Sequence, residues 1–232
     1  MQRNLIPGLS YDGFEAYLVE EHASWKAKVQ HDNKERIGRK AASFLQNGSK
    51  IFIDAGSTNE EIVHVIITRI KNRTINRLTI ATTSINIADM ISDCCTEMGF
   101  DDDFSAIQLF IPGGQVRPST QAIIPTFTGE QRQILALGEF VGQFDICFVG
   151  VNGVDAVTGF TTHDKGEAAN KLDILNVSKT RFVVGDSSKV GIVLACKFSD
   201  FDSAVTYIVN EDKTNVELQN IIASHPQNVI LV

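Results

Sequence analysis

The 232-residue chain predicts an α/β fold, a mostly parallel sheet with helices on both faces. Two observations predict it. Short apolar runs rich in Ile, Val and Phe recur near 51–54, 78–82, 107–112, 144–150, 181–185, 204–209 and 228–232, as strands buried on both faces do. Helix-like patterns fill 59–71, 85–92, 129–141, 165–178 and 216–224 between several of them, and such alternation implies strand–helix–strand crossovers. Hydrophobic residues make up 43% and charged residues 21%, so one large core can form without disulfides or metals.

Residues 1–33 read differently, as an arm or linker that mixes Pro7, Gly8 and Gly13 with Tyr11, Phe14, Tyr17 and the lone Trp25. The main body of the fold is expected over 34–232. A helix is expected from 33 to 46, with Ile37, Ala41, Phe44 and Leu45 on one face and Lys34, Arg36, Arg39 and Lys40 mostly elsewhere. That basic face reads first as solvated, with a DNA-reading helix as the alternative. Gly48 suits a C-terminal cap. Asp101-Asp102-Asp103 reads as a solvated loop, because a calcium loop needs spaced ligands.

The first strand runs straight into Asp54-Ala55-Gly56-Ser57-Thr58 and then a helix. Helix N-termini present free N–H groups and the positive end of the dipole, so this turn suits an anion such as phosphate. The same residues also fit capping boxes, Ser57 with Glu60 and Thr58 with Glu61. Later strands end in Thr82-Thr83-Ser84, Pro112-Gly113-Gly114-Gln115, Gly150-Val151-Asn152-Gly153 and Gly185-Asp186-Ser187-Ser188-Lys189. Gly159-Phe160-Thr161-Thr162-His163-Asp164-Lys165-Gly166-Glu167 follows shortly after the strand that ends at Gly150. Ligands of open α/β sheets bind beyond the strands' C-terminal ends, so these loops outline one composite pocket. Each loop alone also reads as a cap or turn. Lys171 and Lys189 are the expected cations, although Glu167 and Lys171 also form an ordinary i,i+4 pair.

Cys94, Cys95, Cys147 and Cys196 form no C-x-x-C pair, which argues against a zinc site and a disulfide framework. No secretory leader and no membrane-length apolar run is apparent, so a cytoplasmic location is expected. The net charge of −7 makes the chain a poor stand-alone partner for DNA. No metal and no cofactor are expected.

Taken in order, these loops resemble the effector-binding domain of DeoR-type transcriptional regulators. The resemblance rests on Asp54-Ala55-Gly56-Ser57-Thr58, on Thr82-Thr83-Ser84-Ile85-Asn86-Ile87-Ala88 and on Gly113-Gly114. It continues through Asp145-Ile146-Cys147-Phe148-Val149-Gly150-Val151-Asn152-Gly153-Val154-Asp155, Gly159-Phe160-Thr161-Thr162, Glu167-Ala168-x-x-Lys171 and Asp186-Ser187-Ser188-Lys189-Val190-Gly191. It spans about 34–232. It implies a fold similar to ribose-5-phosphate isomerase, glucosamine-6-phosphate deaminase and the CoA transferases. It also implies a sensor, in a regulator and most often a repressor, for a phosphorylated sugar or related metabolite. By position, Asp54, Gly56, Ser57 and Thr58 would hold the phosphate. Thr83, Ser84, Gly113, Gly150, Gly153, Glu167, Lys171 and Lys189 would line the sugar pocket, with Gly114 and Asp164 beside them.

Two departures stand out. The family's winged helix-turn-helix has no counterpart in the arm, which carries Arg3, Lys26 and Lys28 against Asp12, Glu15, Glu20, Glu21 and Asp32, so DNA contact is expected only through a winged helix outside this chain. Thr83 and Pro125 stand where the family has Asn and, often, Gly. The runner-up reading is a sugar-phosphate isomerase or deaminase using Asp54, His163, Asp164 and Glu167 as acid–base groups. A homodimer or tetramer is expected, with the aromatic arm at 11–25 crossing between subunits.

Overall fold

The computed structural model describes residues 28–100, 106–125, 127–128, 131–132, 142–201 and 204–232. Its frame is a 7-stranded sheet. In chain order the strands are β1 (Lys50–Ile53), β2 (Leu78–Thr82), β3 (Ile107–Phe110), β8 (Phe144–Gly150), β11 (Ser178–Val184), β13 (Val205–Val209) and β14 (Val229–Leu231). They lie in the order β14-β13-β11-β8-β1-β2-β3, and every pairing is parallel. All seven coincide with the apolar runs in the sequence.

The alternation of side chains along these strands builds two cores. Ile51, Ile53, Ile80, Phe148, Phe182 and Val184 face one side, where α1 (His31–Ala42), α2 (Ser57–Lys71) and α3 (Ile85–Glu97) cover them. Phe52, Ala81, Cys147, Val149, Val183 and Tyr207 face the other, under α4 (Lys165–Asn176) and α5 (Val216–Ser224). That second face also carries an antiparallel sheet of β9 (Gly153–Asp155), β10 (Gly159–Thr162) and β12 (Cys196–Ser199). Burial of the Cys147 thiol pushes its pKa up to about 11, as fits a core residue.

Several local details differ from the sequence expectation. The first helix ends at Ala42 with Ser43 as its cap, and Gly48 instead takes φ +78 in the loop leading to β1. Lys34 lies on the buried stripe of α1 with Ile37, Gly38 and Ala41, because positions 34, 37, 38 and 41 share one helical face. The helix expected over 129–141 falls mostly outside the described residues. The part that is described, β7 (Gln131–Arg132), pairs with β6 (Phe127–Thr128) as strand. The arm at 1–27 and the acidic run at 101–103 also lie outside the described residues. Gly113-Gly114 leads into a hairpin of β4 (Gly114–Arg117) and β5 (Ala122–Pro125). That hairpin docks on the sheet edge through Ile123 N–H to Thr83 O at 2.7 Å and Ile85 N–H to Gln121 O at 3.1 Å.

Candidate functional site

Strand order reverses between β1 and β8, since the chain runs outward from β1 through β2 to β3 and then returns to the far side of β1. The loops after β1 and β8 therefore diverge, leaving a crevice at their C-terminal ends. A cleft enclosing about 990 Å³, part of it open to solvent, occupies that position. Its floor carries Asp54, Gly56, Ser57 and Thr58 from the β1 loop, Thr83 from the β2 loop and Gly150 and Asn152 from the β8 loop. Glu167, Asn170 and Lys171 of α4 and Lys189 of the turn after β11 complete the polar wall.

At the start of α2 the backbone is open. Its N-cap is Gly56, at φ 137 and ψ 152, a conformation that only glycine adopts readily. No side chain among the described residues caps this helix. The expected Ser57–Glu60 and Thr58–Glu61 capping boxes do not form, because Gly56 takes the N-cap and places Ser57 and Thr58 inside the helix, and both glutamates are engaged elsewhere. Glu60 accepts from Asn86 Nδ2 at 3.0 Å, and Glu61 faces His31 Nδ1 at 3.3 Å across α1. The first-turn N–H groups and the dipole of α2 thus face the cleft without an internal anion to satisfy them.

Asp54 is the hub of the floor. Its Oδ1 accepts from Thr83 Oγ1 at 2.9 Å, and its Oδ2 accepts from Gly150 N–H at 3.2 Å and from the Lys171 ammonium. Lys171 also donates to Gly150 O at 3.0 Å and lies 5.7 Å from the centre of the Phe198 ring. Both members of the pair are buried, so each neutralises a charge that would be costly alone. Asn59, fully buried, donates from Nδ2 to Asp54 O at 2.9 Å, and its Oδ1 has no partner among the described residues.

The opposite wall is built around Glu167. Arg117 Nη1 from the hairpin lies 2.8 Å from its Oε1, and the Thr162 hydroxyl lies 3.1 Å from its Oε2 and 2.9 Å from Asn152 Oδ1. Asp164 caps α4 by accepting from the N–H groups of Gly166 at 2.7 Å and Glu167 at 3.0 Å. Asp186 caps the short helical turn Ser187–Lys189, which Asn210 also fixes through Ser187 N–H at 2.8 Å. That turn presents Lys189, whose ammonium has no partner among the described residues. Tyr207 donates its hydroxyl to Gly185 O at 3.1 Å; burial, reinforced by Asp186, raises its pKa well above the ordinary phenol value.

The cleft gathers Asp54, Gly56, Ser57, Thr58, Thr83, Gly150, Glu167, Lys171 and Lys189. Ser84, Gly113, Gly114, Gly153 and Asp164 do not line it. Ser84 is the N-cap of α3, accepting from Ile87 N–H at 3.2 Å. Gly113 and Gly114 are exposed at the start of the hairpin, and its other strand supplies Ala122, Ile123 and Ile124 to the cleft instead. Gly153 lets β9 pack closely, since a Cβ there would sit 2.5 Å from Ile192 O. Lys34, Asn59 and Asn170 line the cleft from outside the loop pattern, and Asn152 lines it from within the Gly150–Gly153 loop without having been named as a site residue. Lys34 and Asn59 were legible as polar residues on apolar helical stripes, Lys34 with Ile37 and Ala41, Asn59 with Ile62, Val63 and Ile66.

Among the described residues no cluster of potential metal ligands occurs, and no helix is long and apolar enough to cross a membrane.

The family described as the DeoR C-terminal sensor domain matches residues 29–213. The glycerol-3-phosphate regulon repressor of Escherichia coli (strain K12) is 30% identical over 165 residues, covering 70% of this chain and 56% of the repressor. The uncharacterized HTH-type transcriptional regulator FruR of Bacillus subtilis (strain 168) is 29% identical over 194 residues, 84% of this chain and 66% of that protein. The chain thus spans little more than half the length of the first of these relatives. Among solved structures, a D-ribose-5-phosphate isomerase in complex with phospho-erythronic acid superposes with a TM-score of 0.48 at 14% identity, over 69% of this chain and 54% of its own.

Proposed function

This chain belongs to the DeoR C-terminal sensor domain family, and from that premise we propose that its cleft binds the phosphate monoester of a small sugar or polyol. The observation that carries the reading is the start of α2 at Gly56, which no described side chain caps, in the same cleft as the Lys189 ammonium, which has no partner among the described residues. The phosphate sits on the N–H groups of the first turn, with the hydroxyls of Ser57 and Thr58 and the charge of Lys189 around it. Sugar hydroxyls meet Asn152, Glu167 and Asn170. Asp54 and Lys171 hold the floor together rather than the phosphate, because the Asp54 carboxylate already accepts from Thr83, Gly150 and Lys171.

The site senses rather than reacts. An isomerase or deaminase needs a carboxylate free to take a proton. Asp54 is engaged by three donors, Glu167 by Arg117 and Thr162, and Asp164 by the start of α4. His163 is not among the residues lining the cleft. In the complete regulator, bound ligand would favour one arrangement of the domain and so change the DNA affinity of a winged helix outside residues 29–213. A cytoplasmic repressor assembled as a dimer or tetramer fits this role.

The name of the Escherichia coli relative selects the first ligand to try. Isothermal titration with sn-glycerol 3-phosphate, fructose 1-phosphate and their unphosphorylated parents tests the proposal. Binding of a phosphate ester but not its parent, lost in Lys189→Met, is expected. Failure of every ester to bind the folded chain overturns it. Turnover of ribose 5-phosphate or glucosamine 6-phosphate that Glu167→Gln abolishes would establish the enzymatic reading instead.

A further inference from the structure

The start of α2 is bordered by acceptors as well as donors. The N–H groups of Ser57, Thr58 and Asn59 precede the first intrahelical bond, Glu60 N–H to Gly56 O at 3.0 Å. Those donors and the Lys189 ammonium suit any small anion. The side chains of Asn59 and Glu60 do not.

Asn59 is 0% exposed and lines the cleft. Its Nδ2 donates to Asp54 O at 2.9 Å, which fixes the amide and leaves Oδ1 as a buried acceptor with no partner among the described residues. Glu60 is half-buried, stands in the first turn of α2 and lines the same cleft. Asn86 Nδ2 from α3 donates to its Oε1 at 3.0 Å, and its carboxylate pairs with no cation among the described residues. A carboxylate in that place competes with a bound anion for the helix dipole and repels a fully ionised phosphate.

One proton resolves the conflict. Held between two acidic groups that share a site, it turns repulsion into a charge-assisted O–H···O bond. A phosphate monoester brings that proton, because its second pKa is about 6. A sulfate of the same shape has none to bring at neutral pH.

We propose that the cleft reads this proton: it takes the phosphate ester as the monoanion, with the P–O–H group donating to Glu60, and rejects sulfate. Asn59 Oδ1, an acceptor in the same turn, adds to the preference for a ligand oxygen that carries hydrogen. This rests on the phosphate-ester reading of the cleft. The ligand holds its proton below its second pKa and loses it above. Binding at neutral pH therefore takes up a proton, and affinity falls as pH rises. The other charged groups lining the cleft are Lys34, Asp54, Glu167, Lys171, Asp186 and Lys189, and none is a histidine. On the neighbouring helices, His31 faces Glu61 and His64 lies one turn beyond Glu60; neither lines the cleft.

The test uses the full chain. It titrates sn-glycerol 3-phosphate, fructose 1-phosphate and inorganic phosphate between pH 6 and pH 8, with inorganic sulfate as competitor. In the wild type, affinity for the phosphate ligands falls at least about tenfold over that range. Titrations at pH 7 in buffers of different ionisation enthalpy show proton uptake, and sulfate does not compete. Glu60→Gln flattens the pH profile to within about twofold, abolishes the uptake and admits sulfate. His31→Gln keeps the wild-type profile. Overturning results are a wild-type affinity that is flat or rises with pH, sulfate competing as well as phosphate, a Glu60→Gln profile like the wild type, or a profile that His31→Gln flattens. Each leaves the sensor reading standing. If no phosphate ester binds at any pH, both fall together. Should Glu60→Gln fail to fold, the wild-type pH profile and the sulfate competition still decide the matter.

Discussion

At the residue scale, Asp54 and Lys171 illustrate how a buried charge pair can hold the floor of a cleft together. Lys171→Met leaves the Asp54 carboxylate buried with only neutral donors, and it is expected to lower stability by about 3–5 kcal/mol in urea unfolding at pH 7. Gly56→Ala forces a residue with a Cβ into a conformation at φ 137, which costs about 1–3 kcal/mol and removes anion binding in titration. The Cys147 thiol, with its pKa pushed up to about 11 by burial, should resist alkylation at pH 8 in the native state and react only after unfolding. The loop residues of the cleft were readable because Gly, Ser and Thr cluster where strands end. Lys34 and Asn59 were not found that way. Each sits inside a helix, and only its register with the apolar stripe marks it as inward-facing.

At the scale of elements, the parallel strands were legible because burial on both faces leaves continuous apolar runs. The strands β9, β10 and β12 were not, because they are three or four residues long and carry Gly, Thr, Asp and Lys. Their pairing with one another is set by tertiary contact rather than by pattern. Packing of α1 on α2 depends on Gly38, so Gly38→Ala should separate the helices and cost about 1–3 kcal/mol, read as a lower urea midpoint. At the N-terminal ends of the central strands, Asp145 accepts from Lys50 N–H at 2.9 Å and Lys179 Nζ at 2.8 Å. Partial burial opposes its ionisation, but those two donors together with the nearby lysine charges outweigh it and hold the carboxyl below its usual value. A lowered folded pKa stabilises the protein above the unfolded pKa, about 4, and that contribution is lost as pH falls through the folded value. Asp145→Asn should therefore be less stable than wild type at pH 7, with the gap closing toward pH 2 in parallel urea titrations. Because this ion pair is solvent-exposed, the gap should be small and shrink in high salt.

For the molecule as a whole, strand–helix alternation announced the fold class, and the rule that ligands lie beyond strand ends pointed to the edge where the cleft lies. The order of the strands was not readable, because nothing local to β1 says that β8 rather than β3 becomes its second neighbour. That placement creates the crevice on which the site depends. Assembly is a separate question for the whole molecule. Light scattering at high micromolar concentration is expected to give a dimer or tetramer, and a strict monomer would contradict that. The central position of β1 has one further consequence, for the ribosome. Its first partner, β2, and the outer neighbour of β2, β3, are complete once Phe110 has emerged, yet the pairing edge that β8 will cover waits for Phe144 and beyond. At roughly 5–20 residues per second, the nascent chain carries an open, apolar strand edge for about 2–7 seconds in every round of synthesis. Its yield in a cell should therefore respond to translation speed and to chaperone supply during that interval.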